Sequence, residues 1–100
     1  MRQPRWHEID DVRRRPVTKR LLDHAFRCLA RAMDYAPGGV YARSTLTTKN
    51  ENAEQRRRRL ARINLERAET FYAALRHLVP LFAYPDFEHH RAEVSAWLDR

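Results

Sequence analysis

One apolar stripe, followed by the only glycines of the chain, constrains the fold more than any other feature of the sequence. Between Thr18 and Ala36 the apolar residues recur at intervals of three and four, the spacing of one side of an α-helix. The stripe consists of Leu22, Ala25, Phe26, Leu29, Ala32, Met33 and Ala36. Pro16 and Thr18 offer an entry with a possible N-cap, and Pro37-Gly38-Gly39 stops the helix.

Two more helices are predicted after this break. Thr48-Lys49-Asn50-Glu51 matches the capping box, in which a Thr hydroxyl and a Glu carboxylate each accept from an unpaired backbone amide. A long helix should begin there and end near Pro80. Its apolar stripe is Leu60, Ala61, Leu65, Ala68, Phe71, Tyr72, Leu75, Leu78 and Val79. A last helix should have Asp86 as its N-cap and bury Phe87, Val94, Trp97 and Leu98.

The remaining segments are shorter. Trp6, Ile9 and Val12 recur at intervals of three and suggest a short N-terminal helix that packs through Trp6. Residues 40–48 are rich in β-branched side chains, but a lone strand would have no partner, so an extended loop is favoured over a strand. We therefore predict an all-α fold, a small irregular bundle of three main helices plus the short one, with a long basic central helix. Residues 1–100 form a single domain, with a helical part over 1–36, a loop over 37–48 and two helices within 49–100.

Length and cysteine content bound the class of protein. A chain of 100 residues can bury one modest core. Cys28 is the only cysteine, so no intrachain disulfide can form, and a reducing compartment is the natural expectation. No stretch approaches the roughly 20 apolar residues that a membrane span needs. We expect a soluble, cytoplasmic protein.

The charge is unevenly distributed. The formal net charge is +7, and eighteen of the twenty basic residues are arginine. Residues 1–62 contain sixteen basic and seven acidic residues, a net of +9, whereas residues 63–100 contain four and six, a net of −2. This separation indicates a basic face and a more acidic remainder.

Arg56 to Arg59 form the most unusual segment. Because helical residues turn by about 100° each, the four side chains point around most of the circumference and cannot share one solvated face. We infer that the core stops near Leu60 and that the helix continues beyond it as a cationic end, ordered by an anionic partner. The segment "QRRRRLAR" resembles the arginine-rich RNA-binding helices of phage antiterminator proteins. Asn50 and Arg58 have the Asn-x7-Arg spacing of leucine-zipper basic regions, but leucine heptads do not follow.

Three interpretations of the arginine run remain open: a solvated, internally paired helix end, a nucleic-acid contact, or a contact with an acidic protein. The first functional hypothesis is a non-enzymatic regulator that binds DNA or RNA. Its predicted binding residues are Arg56, Arg57, Arg58, Arg59 and Arg62, with a second cluster of Arg13, Arg14, Arg15, Lys19 and Arg20. The alternative is an interaction module or inhibitor that docks on an acidic protein, of the kind that mobile elements encode. Its exposed anchors would be Tyr41, Phe82 or Trp97. A homodimer is also predicted, because the long apolar stripe is wider than one small helix covers.

No catalytic, cofactor or metal site is predicted. His89 and His90 are adjacent, so we expect them to point to different sides of a helix and not to chelate one ion together. Each i,i+4 pairing with a carboxylate gives only two ligands, and zinc sites in proteins have three or four. His24 and His77 lack the neighbours that nucleophilic catalysis requires, so an enzyme is not expected.

Overall fold

The structure, a computed structural model, contains four helices in the part of the chain that it describes: the backbone of residues 6–100 and the side chains of residues 10–100. They are α1 (Trp6–Arg14), α2 (Pro16–Tyr35), α3 (Ala53–Leu78) and α4 (Pro85–Leu98). Residues 6–100 contain no named strand, and residues 40–48 form turns and irregular structure. The predicted all-α bundle of three main helices and a short N-terminal one is confirmed. The predicted packing of Trp6 and Ile9 lies outside the described side chains.

Helix α3 runs antiparallel to both α2 and α4. Thr18, near the start of α2, shares a small cavity with Leu78 at the end of α3. At the other end of the bundle, Arg58 near the start of α3 donates from Nη1 to the Trp97 carbonyl oxygen at the end of α4, at 2.9 Å. Helices α2 and α3 form the main pair, and α4 packs along one side of both.

Aromatic packing positions α4. Phe87 is fully buried, with its ring centre 4.1 Å from that of Tyr72 on α3 and 5.5 Å from that of Phe26 on α2. The Tyr84 amide donates to the Tyr72 hydroxyl oxygen at 2.8 Å, and burial raises the pKa of the Tyr72 phenol. The Phe87 ring of α4 is thus in contact with both α2 and α3.

The predicted apolar stripes are largely confirmed. Leu22, Ala25, Leu29, Ala32 and Ala36 are buried, as are all four predicted core residues of α4. On α3 the prediction is wrong for Leu78, which is 54% exposed. Leu78 instead lines a small open cavity next to the end of α1 and the start of α2.

The start of α3 lies later than the sequence predicts. The capping box is formed by Asn52 and Gln55. The backbone N–H of Gln55 donates to Asn52 Oδ1 at 2.8 Å, and the backbone N–H of Asn52 donates to Gln55 Oε1 at 2.9 Å. Thr48 and Glu51 instead face each other in an isolated bridge. The predicted box failed because the Glu51 carboxylate binds Arg59 and is not available to cap a helix.

The starts of α2 and α4 also differ from prediction. Each has a proline at its first position, where the absent N–H is not needed and φ is already helical. The N-caps are therefore Arg15 and Tyr84 rather than Thr18 and Asp86. The buried Thr18 hydroxyl donates to the Val12 carbonyl oxygen at 2.6 Å and so ties the end of α1 to α2.

Glycine is required where α2 ends. Gly38 has φ of +87°, a left-handed conformation that favours glycine. A Cβ atom on Gly39 would lie 2.1 Å from the Met33 carbonyl oxygen, so no side chain fits there. The break predicted at Pro37 is therefore a compact turn. Among the helices described, none combines the length and the apolar character that crossing a lipid bilayer would need.

Replacing Phe87 with alanine tests the aromatic core. The variant should lose about 3–5 kcal/mol of unfolding free energy, because a fully buried ring is removed from between two helices. Urea denaturation followed by circular dichroism measures the change. Leu81→Ala, at a position that is 65% exposed, is the control and should change stability by less than about 0.5 kcal/mol. Equal effects of the two substitutions would contradict the assigned core.

The position of the α3 cap gives a second prediction. Asn52→Ala removes the side-chain acceptor of the capping box and should cost about 0.5–2 kcal/mol. Thr48→Ala should cost less than about 0.5 kcal/mol, since Thr48 lies outside the helix. The same denaturation experiment measures both. A larger loss of stability for Thr48→Ala than for Asn52→Ala would instead support the helix start at Thr48 that the sequence predicts.

Candidate nucleic-acid interface

The arginine run at the start of α3 contacts its own chain. Arg57 donates from Nη1 to the Ser44 carbonyl oxygen in the loop before α3. Arg58 donates to the Trp97 carbonyl oxygen, its guanidinium carbon lies 5.0 Å from the centre of the Trp97 ring, and its Nε is 3.2 Å from Glu54 Oε1. Both guanidinium groups therefore join segments of the fold to α3.

Arg59 forms a forked ion pair with Glu51. Its Nη2 lies 2.7 Å from Glu51 Oε1, and its Nε lies 3.1 Å from both carboxylate oxygens. The hydrogen bonds from Arg59 lower the pKa of the Glu51 carboxyl group, although partial burial opposes this, and the same pairing raises the pKa of Arg59. The pair fixes the turn that precedes α3.

These contacts correct the expectation of a solvated cationic helix end. The first buried residue of α3 is Ala61, so apolar burial does stop near Leu60 as predicted. However, the loop before α3 and the end of α4 contact the first turns of α3, which come before Leu60. For Arg58 to bind phosphate it would have to release a hydrogen bond from a charged group, typically worth about 1.5–3 kcal/mol. Of the four arginine side chains, Arg56 alone makes no hydrogen bond or ion pair with any backbone or side-chain group in the described part of the chain.

The second predicted cluster lies at the opposite end of the bundle. Arg13, Arg14, Arg15, Lys19 and Arg20 are all exposed around the start of α2, next to the end of α3. Helix α3 has 26 residues and is about 39 Å long, so the structure does not bring the two clusters together. The first turn of α2 contains no acidic residue, and the dipole of α2 adds to the positive potential of this cluster.

Arg20 was predicted from the sequence as a binding residue, whereas Arg27 and Arg31, which form one row with it along α2, were missed. Arg20, Arg27 and Arg31 are separated by seven and then four residues, close to whole numbers of helical turns, and all three are exposed. On α3, Arg56, Ile63 and Arg67 repeat the same spacing. Each set of three lies along one side of its helix. The spacing was readable in the sequence, but the contiguous run at Arg56–Arg59 is a more conspicuous feature.

The two rows flank the same side of the α2–α3 pair. His24, on the same side of α2 as Arg20 and Arg27, stacks on Phe71 of α3 with ring centres 5.2 Å apart. Phe71 is one turn beyond Arg67. Helix α4 contacts α2 through Phe26 and α3 through Tyr72, which point away from this side. We call the surface formed by Arg20, Arg27, Arg31, Arg56 and Arg67 the α2–α3 face.

The five arginines of the α2–α3 face form no ion pair within the described part of the chain. The carboxylates that follow in the same helices, Asp23, Asp34 and Glu66, are within the described residues and make no such pair either. By contrast, Arg76 and Arg91 on the other side of the molecule lie 4.0 Å from Glu88 and Glu69.

An exposed aromatic ring lies at one end of this face. Tyr41 is 49% exposed and stacks on Tyr35, which is one turn beyond Arg31, with ring centres 5.1 Å apart. The other two anchors predicted for an acidic protein partner are not available, because Phe82 is fully buried and Trp97 is 9% exposed. The predicted site residue Arg62 is exposed but lies on a different side of α3 from Arg56.

No family model, no curated protein and no solved structure matches this chain.

The Arg59–Glu51 pair predicts how stability depends on pH. Because the pKa of Glu51 is lowered from its ordinary value of 4.5 in the folded state, the pair stabilises the fold above that pH. The contribution is lost as the pH falls through the lowered pKa. The difference in melting temperature between the native protein and Glu51→Gln should therefore be largest near neutral pH and shrink below about pH 4.5.

Thermal melts of the two proteins between pH 7 and pH 3 measure this difference. Glu54→Gln is the matched control, because it removes a carboxylate of the same helix start that is more exposed than Glu51. A difference for Glu51→Gln that stays constant over the whole range would contradict the assigned pair.

Proposed function

We propose that this chain is a small non-enzymatic protein that binds the phosphate backbone of DNA or RNA through the α2–α3 face. The observation that carries the proposal is the presence of five arginines along two adjacent helices, none of them ion-paired with a described side chain. Guanidinium groups donate in pairs to phosphate oxygens and keep their charge at any physiological pH. A polyanion is the ligand that such a surface fits.

The dimensions of the face support this chemistry. From Arg20 to Arg31 the helix rises by about 16 Å, and successive phosphates of one DNA strand are about 3.4 Å apart along the axis. The α2 row therefore covers the axial rise of about five base pairs. The α3 row lies one helix away, at an interaxial distance of about 8–10 Å. Several phosphates can be neutralised without unfolding any part of the bundle.

Two neighbouring features extend the proposed contact. The cluster of Arg13, Arg14, Arg15 and Lys19 continues from Arg20 at one end, where the first backbone amides of α2 also favour an anion. Tyr41 at the other end can stack on an unpaired base. Of the originally predicted arginine run, Arg56 belongs to the proposed contact, while Arg57, Arg58 and Arg59 support the fold.

A regulatory role, a cytoplasmic location and a homodimer remain parts of the proposal. Nucleic acid in the cytoplasm agrees with the reducing compartment that the lone cysteine favours. Two-fold symmetry would present two α2–α3 faces to one nucleic acid. An acidic protein surface is retained as an outcome of the test below.

The proposal predicts that binding depends on which arginines are removed and not on net charge alone. Arg27→Gln, Arg31→Gln and Arg67→Gln in one protein should weaken binding and flatten its salt dependence. Each phosphate contact contributes about −0.9 to the slope of log K against log salt on B-form DNA, so the slope should change by about 2.7. The control combines Arg76→Gln, Arg91→Gln and Arg100→Gln, which removes the same charge from the other side, and should keep the slope.

Fluorescence anisotropy with a labelled DNA duplex and a labelled single-stranded RNA, at several KCl concentrations, measures both slopes. Circular dichroism checks that both triple variants are folded. Failure of the native protein to bind either probe at low salt would eliminate the proposal and favour an acidic protein partner. Equal weakening by the two triple variants would show attraction by net charge without a defined face.

A further inference from the structure

Three potential metal ligands meet on the outer surface of α4. His89 Nε2 lies 2.5 Å from Glu93 Oε1, and His90 Nδ1 lies 3.8 Å from the same oxygen. The ligand atoms of all three residues lie within 4.8 Å of one another. Glu93 follows His89 by four residues and His90 by three, so its carboxylate lies one turn beyond both imidazoles. Although His89 and His90 are adjacent in sequence, each therefore places a ring nitrogen near the same carboxylate.

His90 carries an unexplained polar atom. Its Nδ1 is buried and has no hydrogen-bond partner among the described residues. A buried polar atom without a partner is unfavourable, and such atoms in native proteins commonly mark an ion, a water molecule or a functional group. A neutral imidazole with a free ring nitrogen is the form that binds a metal ion. The His90 side chain as a whole is 40% exposed, so the ring can turn to bring this unpaired nitrogen to a ligand.

Two of the three residues, His90 and Glu93, lie at the edge of an open cavity. The cavity has a volume of about 610 Å³ and lies between the end of α2, the turn Pro37–Val40 and α4. His90 and Glu93 line it, and so does the carboxylate-bearing Asp34. Water can complete a coordination sphere there.

We propose that His89, His90 and Glu93 bind one divalent first-row transition metal ion, with two imidazole nitrogens and one carboxylate oxygen as ligands. Imidazole suits zinc, copper and nickel, and two histidines with one carboxylate and an open position are an established zinc ligand set. Ligand bonds of about 2.0–2.2 Å place the donor atoms of a tetrahedral ion roughly 3.3 Å apart. The distances from Glu93 Oε1 to His89 Nε2, 2.5 Å, and to His90 Nδ1, 3.8 Å, lie on either side of this value.

Small side-chain movements complete the site. His89 is 71% exposed and Glu93 is 58% exposed, so both can rotate without disturbing the core. The helix backbone already sets the spacing, as it does for other pairs of ligands one turn apart. The competing interpretation is an ordinary His–Glu ion pair on a solvated helix, which would require the His89–Glu93 pair but no role for His90.

Titration calorimetry of the full chain with ZnCl₂, without nucleic acid, tests the proposal. One Zn²⁺ should bind per chain, and His90→Ala and Glu93→Gln should each weaken binding by about ten-fold or more. His77→Ala is the matched control, since His77 is an exposed histidine outside the site. Cys28→Ser excludes the only thiol as a ligand. Both controls should bind Zn²⁺ like the native protein.

NMR spectra of the imidazole nitrogens provide a readout that does not depend on the variants. Addition of ZnCl₂ should shift the signals of His89 and His90, while those of His24 and His77 stay unchanged. No saturable binding, binding that survives His90→Ala, or binding that is lost with His77 or Cys28 would each overturn the proposed site.

Discussion

The contact of Phe87 with Tyr72 and Phe26 determines which surface of this protein is free. This ring, from the start of α4, packs on α3 and α2 together and is fully buried. A chain of this size has one modest core, and α4 supplies the apolar cover for one side of the α2–α3 pair. In the described part of the chain, α4 does not cover the opposite side of this pair. That side is the one on which Arg20, Arg27, Arg31, Arg56 and Arg67 lie.

Arginine has two different roles in this chain, and the structure separates them. Arg57, Arg58 and Arg59 donate to backbone carbonyls and carboxylates of their own chain and hold the start of α3 against the preceding loop and the end of α4. The arginines of the α2–α3 face make no ion pair with a described side chain. A charge that is already paired must lose its partners before it binds phosphate, whereas an unpaired one does not. The most conspicuous basic segment of the sequence is therefore the less suitable part of the proposed interface.

Local patterns in the sequence were sufficient for the helices and most of the core, but not for the interactions between distant segments. The three- and four-residue spacing around Leu29 and the apolar residues near Val94 predicted buried stripes correctly, because periodicity depends only on helix geometry. The cap at Asn52 was missed because Glu51 is engaged by Arg59, eight residues away. The contact of Arg58 with Trp97 spans 39 residues, and no short pattern encodes it. The approach of His89 and His90 to Glu93 depends on side-chain rotation, which residue spacing alone does not determine.

The central claim of the proposal is that nucleic acid binds the α2–α3 face rather than Arg57, Arg58 and Arg59 or α4. Side-chain NMR of the arginine Nε–H groups, with an unlabelled DNA duplex added stepwise, tests this most directly, because each guanidinium group reports its own environment. The account predicts that the signals of Arg20, Arg27, Arg31 and Arg67 shift first and most, while that of Arg58 stays in place. Shifts confined to Arg57, Arg58 and Arg59, or spread evenly over the arginines including Arg76 and Arg91, would contradict it.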